Sequence, residues 1–239
     1  FRNWDRIPSF GAGLPERPDL SGRAGLNDNS FRGVLEFRLD GGKMIVINEL
    51  PLEDYMKGIA EEPESDDIPQ EKRKVIAVLA RSYALHYLIS GYEKFPDKPY
   101  TAADSPKIFQ KYLGYGFEQR APKWLEAIEE TSGEVVTVEK DGKQHVLRAA
   151  YFSCTDGERT KSATEVWAEN EYFQKFSEIF QSVPDPLGDD PKRSGSEACG
   201  HQVGLSGYGA TQKAKVGESY RDIILDYYQG VEVRRFSPR

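Results

Sequence analysis

Between residues 31 and 50 apolar and polar side chains alternate with a period of two, Leu35, Phe37 and Leu39 opposing Val34, Glu36 and Arg38. The alternation pauses at Asp40-Gly41-Gly42 and resumes as Met44-Ile45-Val46-Ile47, which predicts a β-hairpin closed by a glycine turn. The period then changes. Residues 52–60 predict a short helix with Pro51 near its first turn. Pro69 opens a longer helix in which Val75, Ile76, Leu79, Tyr83, Tyr87 and Leu88 recur at helical spacing, ending near Gly91. Residues 122–131 predict an amphipathic helix stopped by Gly133. Two strands, 135–138 and 144–151, then flank Asp141-Gly142, a second hairpin signal. A proline-rich loop around residues 184–191 precedes a glycine-rich run, 200–209. Two short helices follow, near 211–216 and 219–228, and then a strand at 231–236. Helices and hairpins alternate without the spacing of βαβ units, so the expected class is α+β. Residues 1–30, rich in Pro, Gly, Arg and Asp and without apolar periodicity, read as an extended arm; residues 31–239 read as one domain.

Composition narrows the function. The 239 residues carry a net charge of −7, which argues against a nucleic-acid partner, since phosphate binding needs a basic surface. No apolar run is long enough for a membrane-spanning helix. Thirteen Tyr and twelve Phe predict an aromatic core, with some rings free to line a groove. The only two cysteines, Cys154 and Cys199, are compatible with one disulfide, two free thiols or part of a metal site.

Two segments could carry chemistry. Residues 61–67 hold Glu61, Glu62, Glu64, Asp66 and Asp67, a density of like charge that favours one carboxyl keeping its proton. The plainer reading is a solvated charge run or acids capping the helix after Pro69. The second segment is the run from Gly200 to Ala210, with His201, Ser206 and Tyr208 among four glycines. It predicts a backbone that approaches a ligand or another strand closely. No phosphate loop, GxSxG elbow or zinc-finger spacing occurs.

Ordered motifs settle what spacing leaves open. Asn48-Glu49-Leu50-Pro51-Leu52-Glu53-Asp54-Tyr55, running on to Glu61-Glu62-Pro63, resembles the opening motif of the stage II sporulation protein D (SpoIID) family. Lys74-Val75-Ile76-Ala77-Val78-Leu79-Ala80-Arg81-Ser82-Tyr83-Ala84 is similar to its KAQAVAARTYA helix. Thr131-Ser132-Gly133-Glu134-Val135 follows the family's TxGEV step, and Arg159-Thr160 with Glu165-Val166-Trp167 its GGxT…EVW segment. Ser182-Val183-Pro184, the run from Gly200 to Ala210 (GHGVGMSQWGA in the family) and Tyr220-Arg221-Asp222-Ile223 complete the series.

The resemblance implies an α+β fold with a cleft between two lobes and a lytic transglycosylase of peptidoglycan, cutting glycan strands stripped of peptides. The catalytic Glu of the family's Glu-Met-Pro falls on Glu61; a one-residue slip would select Glu62. The motifs also imply substrate contacts from Arg81, Tyr83, Gln110, Ser153, Trp167, His201, Ser206 and Tyr208. The CDxxxHCQVY segment that supplies zinc ligands in some members reads Ala103-Asp104-Ser105-Pro106-Lys107-Ile108-Phe109-Gln110-Lys111-Tyr112 here, so neither a metal nor a cofactor is expected. An exported protein, secreted or anchored through a segment outside this chain, is implied, and with it a Cys154–Cys199 disulfide. The alternative reading is a peptidoglycan-binding module that positions or activates a cell-wall amidase without cutting; a third is a structural envelope component.

Overall fold

The structure, a computed structural model, describes residues 2–5, 30–105, 108–189 and 200–236. In chain order the elements are β1 (Arg2–Asp5), β2 (Val34–Asp40), β3 (Lys43–Glu49), α1 (Leu52–Gly58), α2 (Gln70–Ile89), β4 (Ala102–Ala103), α3 (Tyr115–Glu118), α4 (Pro122–Glu130), β5 (Glu134–Lys140), β6 (Lys143–Val146), β7 (Tyr151–Phe152), α5 (Ala163–Val166), α6 (Glu171–Lys175), β8 (Leu205–Ser206), α7 (Gly207–Lys215), α8 (Tyr220–Tyr227) and β9 (Glu232–Arg235). Helices and largely antiparallel sheets, with no closed barrel among the described residues, make this an α+β protein, as the pattern predicts. By packing it divides into two units, residues 1–64 with 87–128, and residues 65–86 with 129–239. Of the predicted arm, residues 2–5 form β1 and residues 6–29 lie outside the described residues.

The first unit is built on a four-stranded sheet in the order β2-β3-β1-β4. The predicted hairpin is β2–β3, and its turn places both Gly41 (φ 56°) and Gly42 (φ 78°) in the left-handed region that the tight connection demands. The strict alternation of β2 does not become a buried face. Phe37 and Leu39 are exposed, whereas Ile45, Val46 and Ile47 of β3 are buried in succession. Successive side chains of a strand point to opposite faces, so burial of three in a row means that β3, the inner strand between β2 and β1, is covered on both faces. In the same unit α1 buries Tyr55 and Met56, and the fully buried Trp124 of α4 donates its indole N–H to the Met56 carbonyl at 3.0 Å.

In the second unit α2 is apolar on nearly every side and buried accordingly, from Val75 through Ala80 to Leu85. Ser82 ties it to β5: its hydroxyl donates to the Val78 carbonyl at 2.6 Å and accepts from the Val136 amide at 2.8 Å. The second predicted hairpin is β5–β6, turned by Asp141 and Gly142, both at positive φ, with β9 on the other edge. One boundary is corrected. The strand expected to run from 144 to 151 stops at Val146, and Tyr151 belongs to β7, which pairs in parallel with β8.

His86, 6% exposed at the end of α2, carries the clearest pH signature of this core. Its Nδ1 bonds the Val146 carbonyl at 3.1 Å and its ring meets Tyr172 edge-on. Burial lowers its pKa to about 4, so it stays neutral when folded. The unfolded imidazole, near 6.5, takes a proton first as pH falls, so the stabilisation is complete above about pH 6.5 and lost on acidification towards 4. Denaturation midpoints should show about 2–3 kcal/mol of this loss, and it should be missing from His86→Phe.

Candidate functional site

Glu61 sits in the first unit on a short bracket of main-chain bonds. The segment leaving α1 pairs with residues 111–114: Ile59 bridges Tyr112, and the Ala60 amide donates to the Lys111 carbonyl at 2.7 Å. The Leu113 amide donates to the Gly58 carbonyl at 2.8 Å. The Lys111 amide in turn donates to Glu61 Oε1 at 3.0 Å. Gly58 permits this approach, because a Cβ there would stand 2.6 Å from the Tyr112 ring. Tyr112 is itself fixed, stacked on Tyr55 at 5.3 Å and donating its hydroxyl to Asn48 Oδ1 at 2.7 Å. Glu61 is thus half-buried on a rigid seat, while Glu62 is only 7% exposed.

The rest of the acidic loop splits between the two readings the sequence allowed. Glu64 receives the amides of Lys123 (3.0 Å) and Trp124 (3.4 Å), so it caps α4, a helix distant in sequence rather than the one that follows. Asp66 and Asp67 are exposed. Gln110, the other first-unit residue implicated by the motifs, is 1% exposed and accepts the Tyr55 hydroxyl at 3.0 Å.

Seven of the candidate contact residues lie in the second unit. Arg81 is 1% exposed and donates to the Glu134 carbonyl at 3.1 Å and towards Thr131 Oγ1 at 3.4 Å. Tyr83 and Tyr208 are half-buried, and Ser153 is exposed. Ser206 is fully buried. It caps α7 by accepting the Gly209 amide at 3.1 Å, and it donates to the Cys154 carbonyl at 2.9 Å. The β7–β8 pairing brings the Ser153 segment beside Ser206, so the glycine run approaches another strand, one of the two possibilities its composition offered.

His201 and Trp167 come together. Their rings lie 4.7 Å apart, and Trp167 also stacks on Phe173 at 4.3 Å. His201 Nδ1 accepts the Val203 amide at 3.1 Å, and burial lowers the imidazole pKa against an opposing bond to the Tyr151 backbone. Nδ1, as an acceptor, carries no proton, and the ring is held in place. Beside it an open pocket of about 560 Å³ is lined by Glu165, Val166, Trp167, Ala168, Glu169 and Asn170. Glu165 closes a capping box with Ser162, and that hydroxyl holds its carboxyl below the usual range.

Residues 40–138 match the model of the SpoIID family, described as Stage II sporulation protein. This SpoIID match covers less than half of the chain. An uncharacterized protein of Brachyspira hyodysenteriae is 33% identical over 144 residues, 59% of this chain and 36% of the relative. Stage II sporulation protein D of Bacillus amyloliquefaciens is 23% identical over 264 residues, and that of Bacillus subtilis 22% over 263. Each alignment takes in 78% of this chain and 75% of the relative. The chain therefore spans about a third of the first relative's length and three quarters of the other two. Similarity to the SpoIID family points to a role connected with the cell wall or sporulation.

Cys154 is disulfide-bonded, and Cys199, the other cysteine of the sequence, lies outside the described residues. Among the described residues no three His, Cys, Asp or Glu side chains are placed to hold a metal ion, and no helix is long and apolar enough to cross a membrane. Sequence reasoning missed Lys111. It acts through its main-chain N–H, which leaves no trace in residue type.

Proposed function

We propose that this protein is a lytic transglycosylase of peptidoglycan that cuts peptide-stripped glycan strands with Glu61 as its one acid and base. The observation that carries the reading is the seat of Glu61, half-buried at the family's Glu-Met-Pro position with Oε1 fixed as an acceptor by the Lys111 amide. An oxygen that accepts an N–H leaves the proton of the acid form to Oε2. That proton passes to the glycosidic oxygen as the bond to C1 of the muramic sugar breaks with oxocarbenium character. The carboxylate left behind takes the proton of the sugar's C6 hydroxyl, whose oxygen closes on C1. The product is a 1,6-anhydro end; no water enters and no second carboxylate is required. The depth of Glu62 favours Glu61 as the acid.

The Trp167 pocket suits the same class of ligand, an aromatic ring braced by Phe173 and His201 beside the exposed carboxylate of Glu169. Trp167→Ala should weaken retention on sacculi about tenfold, measured by co-sedimentation. The reaction itself is tested by incubating the protein with purified sacculi, intact or stripped of stem peptides by an amidase. Soluble glycan released from stripped sacculi is the expected result. Retention without release from either would make the protein a binding module acting beside an amidase, and neither retention nor release would contradict both readings.

A further inference from the structure

Two aspartates of the second unit that this reading does not use, Asp156 and Asp185, are buried. Asp156 follows Cys154-Thr155, and Asp185 lies where residues 159 and 184 bridge. The Asp185 amide donates to the Glu158 carbonyl at 2.7 Å, and the Gly188 amide closes a turn onto the Asp185 carbonyl at 2.8 Å. Asp185 is 0% and Asp156 7% exposed. Glycine backbones wall them in. A Cβ at Gly188 would stand 2.0 Å from Asp156 Oδ1 and 2.7 Å from Asp185 Oδ2, and one at Gly209 would stand 1.9 Å from Asp185 Oδ2.

The groups facing the pair are few. Tyr227 of α8 donates its hydroxyl to Asp185 Oδ2. Lys213 of α7 lends positive charge, but it is engaged by Asp226 at 2.6 Å and Glu218 at 3.8 Å, and Asp226 adds negative charge of its own. Asp185 Oδ1 and both Asp156 oxygens lack a hydrogen-bond partner of ordinary geometry among the described residues, although the amides of Asp156 and Glu158 approach Asp156. Both carboxyl groups border the same glycine, Gly188, and the charge of Asp185 raises the cost of ionising Asp156. Two buried like charges do not both ionise. Burial first, and then the charge of Asp185, push Asp156 up to about 7, while burial raises Asp185; the titration belongs to the pair.

We propose that Asp156 and Asp185 share one proton in the folded protein, and that this proton reinforces the main-chain and Thr155 bonds holding the 185–188 turn on the 155–158 segment until it leaves to solvent as pH rises. The segment it holds continues directly into Cys154, whose carbonyl Ser206 grips, so release loosens the β7–β8 region on the alkaline side. The pair is too deep to touch substrate, and the shared proton does not depend on the catalytic reading.

Linkage gives the sign. The folded pair keeps a proton that an unfolded aspartic acid, near 3.9, gives up, so stability falls as pH rises from about 4 to about 7. Asp156→Asn supplies a permanent neutral donor of the same shape. The ratio of unfolding constants, wild type over Asp156→Asn, should therefore rise by up to about tenfold per pH unit across that range and then level off. The carboxyl carbons of the wild type should show by NMR one step near neutrality. Parallel stability curves, or two ordinary carboxyl steps near pH 4 in the wild type, would overturn the proposal. NMR of the wild type decides even where the variant fails to fold. Saturable stabilisation by calcium that Asp156→Asn abolishes would also overturn it, because a cation would then fill the space.

Discussion

Glu61→Gln is expected to slow strand cleavage by about 10²–10⁴-fold while leaving the thermal midpoint essentially unchanged. Glutamine keeps an acceptor oxygen for the Lys111 amide, so the bracket between residues 58–61 and 111–114 stays closed. It has no proton to give and none to take, so both halves of the reaction lose their agent. The loss should fall on kcat with KM little altered, as for an interaction made only in the transition state. Glu62→Gln is the control. With Glu62 7% exposed, its substitution should register in stability more than in rate. A Glu61→Gln enzyme of normal rate beside a dead Glu62→Gln enzyme would shift the acid by one residue.

The largest expected effect on stability comes from Gly204→Ala, at about 2–5 kcal/mol. Gly204 stands at φ 73°, where a side chain is strained, and its Cβ would lie 2.1 Å from the Ala150 carbonyl oxygen and 3.1 Å from the Tyr228 ring. Neither neighbour can give way easily. Tyr228 donates its hydroxyl to that same carbonyl and accepts the Leu205 amide at 3.3 Å, and the ring is fully buried. Gly142→Ala separates strain from crowding: φ is similar, 69°, but nothing lies within 4 Å of the new methyl. Its cost should be only about 1–2 kcal/mol. Urea titration of the two variants beside wild type makes the comparison, and equal losses would contradict the assigned contacts.

Local pattern made much of the fold legible. Both hairpins announced themselves through Asp40-Gly41-Gly42 and Asp141-Gly142, because a two-residue turn with positive φ leaves few residue choices. The helix beginning at Gln70 was visible in its apolar spacing, although its burial on almost every side was not, since that depends on what surrounds it. Phe37 and Leu39, on the alternating strand, are exposed. Alternation describes the strand, whereas burial depends on which strands and helices come to lie over it.

The candidate site was legible in a different way, through ordered motifs rather than chemistry at recognisable spacing. Physical reading of the acidic loop left Glu61 unresolved among its neighbours. The structure separates them by depth and by partners fifty or more positions away, Lys111 for Glu61 and Lys123 for Glu64. Ser206 and His201 sit in the glycine run as the motif places them, yet one caps a helix and the other is held by backbone. The Asp156–Asp185 pair gave no signal at all. Its members are 29 positions apart and become a pair only when the 185–188 turn folds against the 155–158 segment.

The most direct test of the account is mass spectrometry of the ends left on peptide-stripped glycan strands after incubation with wild type and with Glu61→Gln. The account predicts 1,6-anhydromuramic ends from wild type alone. Ordinary reducing ends from wild type would show that water attacks, require a second carboxylate and contradict the single-glutamate mechanism.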